Sequence, residues 1–210
     1  MVMTFSDAMA ELPLVAILRG MRPEEAGTIG SALVAAGFRL IEVPLNSPEP
    51  LRSIEILADR FGHRALIGAG TVMSPLDARE AVAAGARLVV MPHVDCDVIG
   101  TAKAAGAWCL PGIATPSEAF AALRADADAL KLFPAETLPP AFVKAVRAVM
   151  PVDLPLLPVG GIAPQSMADY VAAGAAGFGI GSALYKPGFP ATEVARRAKD
   201  FVDAWRGLWP

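Results

Sequence analysis

The chain has 210 residues, of which 54% are hydrophobic and 19% charged, with a formal net charge of −3. That combination excludes a disordered chain, and the weak negative balance gives no basic field for nucleic acid or anionic lipid. No apolar stretch reaches the ~18 residues of a spanning helix, because Gly, Pro or a charge interrupts each one. Two cysteines, Cys96 and Cys109, are too few for a disulfide framework. With no basic segment before an apolar run near Met1, they point to a reduced, cytoplasmic setting. A mean hydropathy of +0.48 without a membrane span calls for a large buried core.

The residues ahead of the first strand predict a short N-terminal helix. Leu14–Leu18 is the first strand and ends at Arg19. A helix from Pro23 to Gly37 leads to strand Arg39–Val43, which carries Glu42 in Leu-Ile-Glu-Val-Pro. Ala65–Gly68 is the third strand, followed by Thr71. Pro75 to Gly85 and Arg87–Met91 repeat the unit, and Trp108–Leu110 follows. Pro116 to Asp126 precedes Ala129–Leu132, which carries Lys131. Leu156–Val159 runs into Gly160-Gly161, and Pro164 to Gly174 precedes Gly177–Ile180, which runs into Gly181-Ser182. Four of these units share one grammar: Pro in the first helical turn, an Ala-rich stretch, Gly at the end (Asp126 in one), then a short apolar run. Ser74 and Thr115, each before a Pro, suit N-caps. The apolar runs are too short for helices and read as strands buried on both faces.

Alternating strand and helix predicts an α/β chain with a parallel sheet. Eight evenly spaced units favour a closed (β/α)8 TIM barrel over an open doubly wound sheet. No linker interrupts them, so residues 1–210 read as a single domain. In such a barrel the chemistry lies at the C-terminal strand ends. Lys131 stands in an apolar strand, where desolvation lowers the amine pKa and frees a nucleophile. Position alone also allows a structural lysine paired with a carboxylate. Glu42 is equally out of place in an apolar strand and needs a cation or a proton-transfer role. Arg19, one strand away, is its expected partner. The glycine turns after strands seven and eight, with the Ser182 hydroxyl, offer bare N–H groups as an anion nest suited to phosphate.

Gly68-Ala69-Gly70-Thr71 lacks the spacing of a nucleotide loop, and Thr71 reads as a hydroxyl donor. With only two histidines, His93-Val94-Asp95-Cys96-Asp97 reads as a loop with cap-forming acids and not as a metal site. Trp108, Trp205 and Trp209 read as core or interface filling.

Six segments then carry a resemblance. They are Val-Ala-Ile-Leu-Arg-Gly (15–20), Ile-Glu-Val-Pro-Leu (41–45), Ile-Gly-Ala-Gly-Thr-Val (67–72), Leu-Lys-Leu-Phe-Pro-Ala-Glu (130–136), Pro-Val-Gly-Gly-Ile (158–162) and Gly-Ile-Gly-Ser-Ala-Leu (179–184). In order and across nearly the whole chain, they resemble the KDPG/KHG class I aldolases, which cleave 2-keto-3-deoxy-6-phospho sugar acids. Pro-Leu-Asn-Ser-Pro (44–48) and Val159 look like the galactonate-series branch. Glucose-series members often carry Thr and a further Arg in the first segment, and Thr before the glycine pair. A Thr hydroxyl can bond a substrate hydroxyl and Val cannot, a plausible basis for choosing between C4 epimers.

The resemblance implies a carbon–carbon lyase for 2-dehydro-3-deoxy-6-phospho-D-galactonate. Lys131 would form the Schiff base and Glu42 would move the protons. Arg19 would orient Glu42, and Thr71 would hold the pyruvyl carboxylate. Phe133 and Pro134 would wall the lysine. Gly160, Gly161, Gly181 and Ser182 would hold the phosphate. It implies no metal, no organic cofactor, no nucleic-acid or membrane partner, and a homotrimer. The nearest alternatives are cleavage of the gluconate epimer or of 4-hydroxy-2-oxoglutarate. Beyond them lie a phosphosugar isomerase or epimerase on the same barrel, for which Lys131 has no evident task, and a phosphate-binding protein without catalysis.

Overall fold

The computed structural model describes residues 3–208, so Trp209 lies outside the described residues. The chain alternates as expected: α1 (Phe5–Glu11), β1 (Leu14–Ile17), α2 (Pro23–Ala36), β2 (Leu40–Pro44), α3 (Pro50–Phe61), β3 (Leu66–Gly70), α4 (Pro75–Ala83), β4 (Leu88–Val90) and α5 (Cys96–Ala104). It continues with β5 (Trp108–Leu110), β6 (Gly112–Ile113), α6 (Pro116–Arg124), β7 (Leu130–Leu132), α7 (Pro140–Arg147), β8 (Leu156–Pro158), α8 (Met167–Ala172), β9 (Phe178–Ile180) and α9 (Ala191–Arg206). No described helix is long and apolar enough to cross a membrane.

The punctuation works through backbone chemistry. Ser74 Oγ accepts from Asp77 N at 3.1 Å and Thr115 Oγ1 from Glu118 N at 3.3 Å, satisfying donors that the helix leaves open. Prolines sit in the first turn of α2, α4 and α6, where no N–H is needed. Pro164 differs: it opens a 3-10 turn, Pro164–Ser166, that feeds α8. Gly37, Gly85 and Gly174 turn left-handed with φ of 110°, 98° and 103°. Asp126 fills the corresponding slot at φ 67°, a conformation Asp tolerates better than most residues.

All strand pairs are parallel, in one sheet ordered β5-β4-β3-β2-β1-β9 and another ordered β6-β7-β8. The expected fifth strand is longer than anticipated and is broken in two by Pro111, which has no N–H for the ladder. Its halves are β5, which pairs with β4, and β6, which pairs with β7. The Pro111 carbonyl still accepts from Lys131 N at 2.9 Å. On the other side, Val159, just past β8, forms a parallel bridge with Gly179 of β9.

Side chains alternate faces along each strand. One face joins the helices in a large apolar cluster through Ala16, Ile41, Ile67 and Val89. The opposite face carries Val15, Leu40, Leu66, Leu88, Ala129 and Leu157, packed with Phe5 and Ala8 of α1. Phe5 also stacks on Trp108 at 5.8 Å between centroids. Each Leu of this layer contributes about 1.5–3 kcal/mol by leaving water. Two residues further along four of these strands stand Ile17, Glu42, Lys131 and Val159. The site begins at that next layer.

Candidate active site

Period-two alternation puts Glu42 above Leu40 and Lys131 above Ala129 on the same face. Glu42 pairs in register with Ile17 of β1, and Lys131 with Leu157 of β8. Both are buried, at 1% and 6% exposure. With Ile17, Val159 and Gly179 they line a small apolar cavity. Lys131 also lines an open cleft of about 530 Å3 above it, together with Arg19, Phe133, Val159, Gly160, Gly161, Gly181 and Ser182. The lysine therefore stands between a dry interior and a cleft large enough for a sugar-acid ligand.

Gly70 makes room for the acid. A Cβ at that position would overlap the Glu42 carboxylate. The Glu42 Oε2 atom is buried without a hydrogen-bond partner among the described residues, and such a group carries a full desolvation penalty. Burial accordingly pushes the Glu42 carboxyl up to about 7, against the opposing charges of Lys131 and Arg19. Burial pulls the Lys131 amine below its usual range; Glu42 opposes this and Arg19 adds to it. Each group is thus shifted toward its neutral form, as a nucleophilic amine and a proton-carrying acid near neutrality require. The Phe133 ring centroid lies 4.7 Å from Lys131 Nζ.

Arg19 is not paired with Glu42, contrary to expectation. Its Nη1 donates to Asn46 Oδ1 at 2.8 Å. The register explains this. Ile17 is the residue level with Glu42, so Arg19 stands two positions further out, in an exposed loop. It acts on Glu42 through its field and makes no ion pair with it.

Thr71 and Pro134 are not among the residues that line the cleft. Thr71 is half-buried just past β3 at φ 56°, a left-handed conformation that costs a β-branched residue about 1–3 kcal/mol. Pro134 is exposed and begins the 3-10 turn Ala135–Thr137.

The glycine turns lie where expected. Gly160 and Gly161 have φ of 112° and 63°, and a Cβ on either would run into the Glu136 side chain. Gly181 and Ser182 follow β9. Three further charged residues line this end: Glu136, Lys186 and Arg197. Lys186 follows β9 in the loop before α9. Arg197 sits in α9, where its Nε donates to Glu193 at 2.6 Å and its Nη1 to the Ala183 carbonyl at 3.0 Å. No local pattern signals either, because only the return of the chain after β9 brings them to the cleft.

His93 is exposed, and Asp95 Oδ1 caps α5 by accepting from Asp97 N and Val98 N at 2.9 and 3.1 Å. No cluster of three metal-ligating side chains occurs among the described residues.

A family model described as KDPG and KHG aldolase matches residues 5–198. A probable 2-dehydro-3-deoxy-6-phosphogalactonate aldolase of Rhizobium meliloti is 48% identical over 95% of this chain and 94% of its own length. The 2-dehydro-3-deoxy-6-phosphogalactonate aldolase of Escherichia coli is 44% identical over 93% of this chain and 96% of its own. A solved structure described as native KDPGal superposes with a TM-score of 0.93 at 43% identity, covering 94% of this chain and 96% of that one.

Proposed function

The chain belongs to the KDPG and KHG aldolase family, and we propose that within it this enzyme cleaves 2-dehydro-3-deoxy-6-phospho-D-galactonate to pyruvate and D-glyceraldehyde 3-phosphate. The observation that carries the chemistry is the buried Lys131 and Glu42 on one face, facing one cavity beneath one cleft. Lys131 Nζ attacks the C2 carbonyl, and loss of water from the carbinolamine leaves an iminium. Glu42 takes the proton of the C4 hydroxyl as the C3–C4 bond breaks. The bonding electrons pass into the iminium to give an enamine, and the aldehyde departs. Glu42 returns the proton to C3, and water hydrolyses the imine to pyruvate and free lysine.

The remaining roles follow the cleft. Arg19 supplies positive charge near the pyruvyl carboxylate, and Thr71 supplies a hydroxyl from beside it. Phe133 walls the amine, with Pro134 behind it. Gly160, Gly161, Gly181 and Ser182 receive the phosphate. Val159, buried at the junction of cleft and cavity, selects the galactonate epimer by offering no hydrogen bond. The galactonate names of both relatives support that choice.

The two sheets read as arcs of one closed (β/α)8 barrel and one domain, joined at Pro111 and at the Val159–Gly179 bridge. We read the enzyme as a cytoplasmic homotrimer that needs no cofactor. Exposed Met73 and Leu76 on and before α4 offer apolar surface for such an assembly, and light scattering at three times the chain mass would support it. Borohydride reduction with pyruvate tests the chemistry. A pyruvyl adduct on Lys131 is expected, and an unchanged mass or another labelled lysine overturns it. Assay of both epimers side by side tests the substrate.

A further inference from the structure

Two side chains after β2 hold Arg19 in place. Asn46 Oδ1 accepts from the Arg19 guanidinium at 2.8 Å, and the adjacent Ser47 Oγ accepts from Gly20 N at 2.9 Å. One bond fixes the charged head and the other fixes the backbone that carries it. Ser47 is buried and Asn46 exposed, so the serine belongs to the scaffold, while the amide meets at the surface an arginine that lines the cleft. The turn is braced from its other side too. Gly20 is left-handed at φ 80°, and a Cβ there would come within 2.7 Å of Pro187 Cγ. Arg19 is thus clamped between the loop after β2 and the loop after β9.

We propose that Asn46 and Ser47 are a positioning pair that fixes the Arg19 guanidinium at the mouth of the cleft while leaving its positive charge un-neutralised. This rests on the reading that an anionic keto acid enters the cleft. A long side chain loses much rotamer freedom when held in one geometry, so an exposed arginine needs an anchor to act from a fixed place. A carboxylate anchor would hold it equally well but would cancel its field at short range. The Asn46 amide oxygen anchors without cancelling. The charged groups sharing the cleft or the cavity below it are Glu42, Lys131, Lys186, Glu136 and Arg197. Glu136 stands over the glycine pair, and Arg197 is tied to Glu193. Among the described residues Arg19 is therefore a cation without an acidic partner beside the buried acid and amine, and its charge favours ionised Glu42 and neutral Lys131.

The test compares Asn46→Asp, Asn46→Ala and Ser47→Ala in the full chain, by cleavage kinetics across the neutral pH range and by borohydride trapping of pyruvate. Asn46→Asp keeps the anchor and cancels the charge. It should raise KM for the phosphorylated keto acid about tenfold with kcat changed less than threefold, and move the acid limb of kcat/KM to higher pH. Asn46→Ala frees the head but keeps its charge, and should raise KM about threefold with a smaller limb shift. Ser47→Ala should raise KM about twofold. Wild-type KM and pH profile in both Asn46 variants overturn the pair. Equal effects of Asp and Ala at position 46 overturn the charge argument. A wild-type protein that traps no pyruvate overturns the functional reading itself, a result distinguishable from either.

Discussion

In the proposed mechanism the inner end of the cleft works through two side chains, Lys131 and Glu42, which burial shifts toward their neutral forms. The outer end would work through backbone, the left-handed Gly160 and Gly161 and the Gly181-Ser182 turn. The inner end gains function through desolvation, which disfavours charge and costs folding free energy. In the same reading the outer end gains it through conformation, presenting N–H groups in turns of which the left-handed Gly160 and Gly161 favour glycine. Inner substitutions should therefore change the chemical step and can stabilise the fold. Outer substitutions should change binding and destabilise it.

The sharpest break is Lys131→Ala, which should abolish pyruvate trapping and lower kcat by about 10^4-fold, read by mass spectrometry and steady-state kinetics. Glu42→Gln should lower kcat by about 10^2- to 10^3-fold while pyruvate is still trapped slowly.

The same Glu42→Gln substitution should raise stability in a pH-dependent way. The carboxyl titrates near 4.5 unfolded and about 7 folded. Below the lower value it is neutral in both states and costs nothing. As pH rises through that window the unfolded state ionises first, so wild-type stability falls, and above the upper value the loss is complete at about 3 kcal/mol. Thermal unfolding should show the Gln variant gaining most at pH above 7. A gain greatest in acid would mean that the carboxyl is not held neutral.

At the outer end, Gly161→Ala should raise KM for the phosphorylated substrate about tenfold, lower Tm, and spare the unphosphorylated keto acid. At the boundary, Val159→Thr should shift the ratio of kcat/KM values toward the gluconate epimer by about tenfold. An unchanged ratio in a side-by-side assay would remove Val159 as the selector.

The inner end was legible in the sequence because a charge in a short apolar strand contradicts its surroundings, and Glu42 and Lys131 both do. The helix boundaries were legible because Ser74, Thr115 and the prolines act on their own backbone. What escaped depends on distant chain. Gly70 matters as space for a side chain from the neighbouring strand, which no local pattern encodes. Arg19 turned to Asn46 because strand register placed it two residues beyond Glu42. Arg197 reads as an ordinary helical surface arginine until α9 folds back over the turn after β9. Lys186 likewise gains its place from the packing of that segment beside Gly20. The expected fifth strand stops at Leu110, before Pro111, yet the Pro111 carbonyl lets pairing continue past it.

The helix α1 has a kinetic consequence. Phe5 and Ala8 pack against the apolar layer at the N-terminal ends of the strands, so in the proposed closed barrel the cleft would be a blind alley with one mouth. Traffic in it runs last in, first out. In the proposed reaction pyruvate would load before the aldehyde in the synthetic direction, and in cleavage the aldehyde would clear before pyruvate leaves. The enamine on Lys131 imposes the same order, so pyruvate would be a competitive product inhibitor against the sugar acid and the triose phosphate a noncompetitive one, with a seven-residue helix closing the end far from the chemistry.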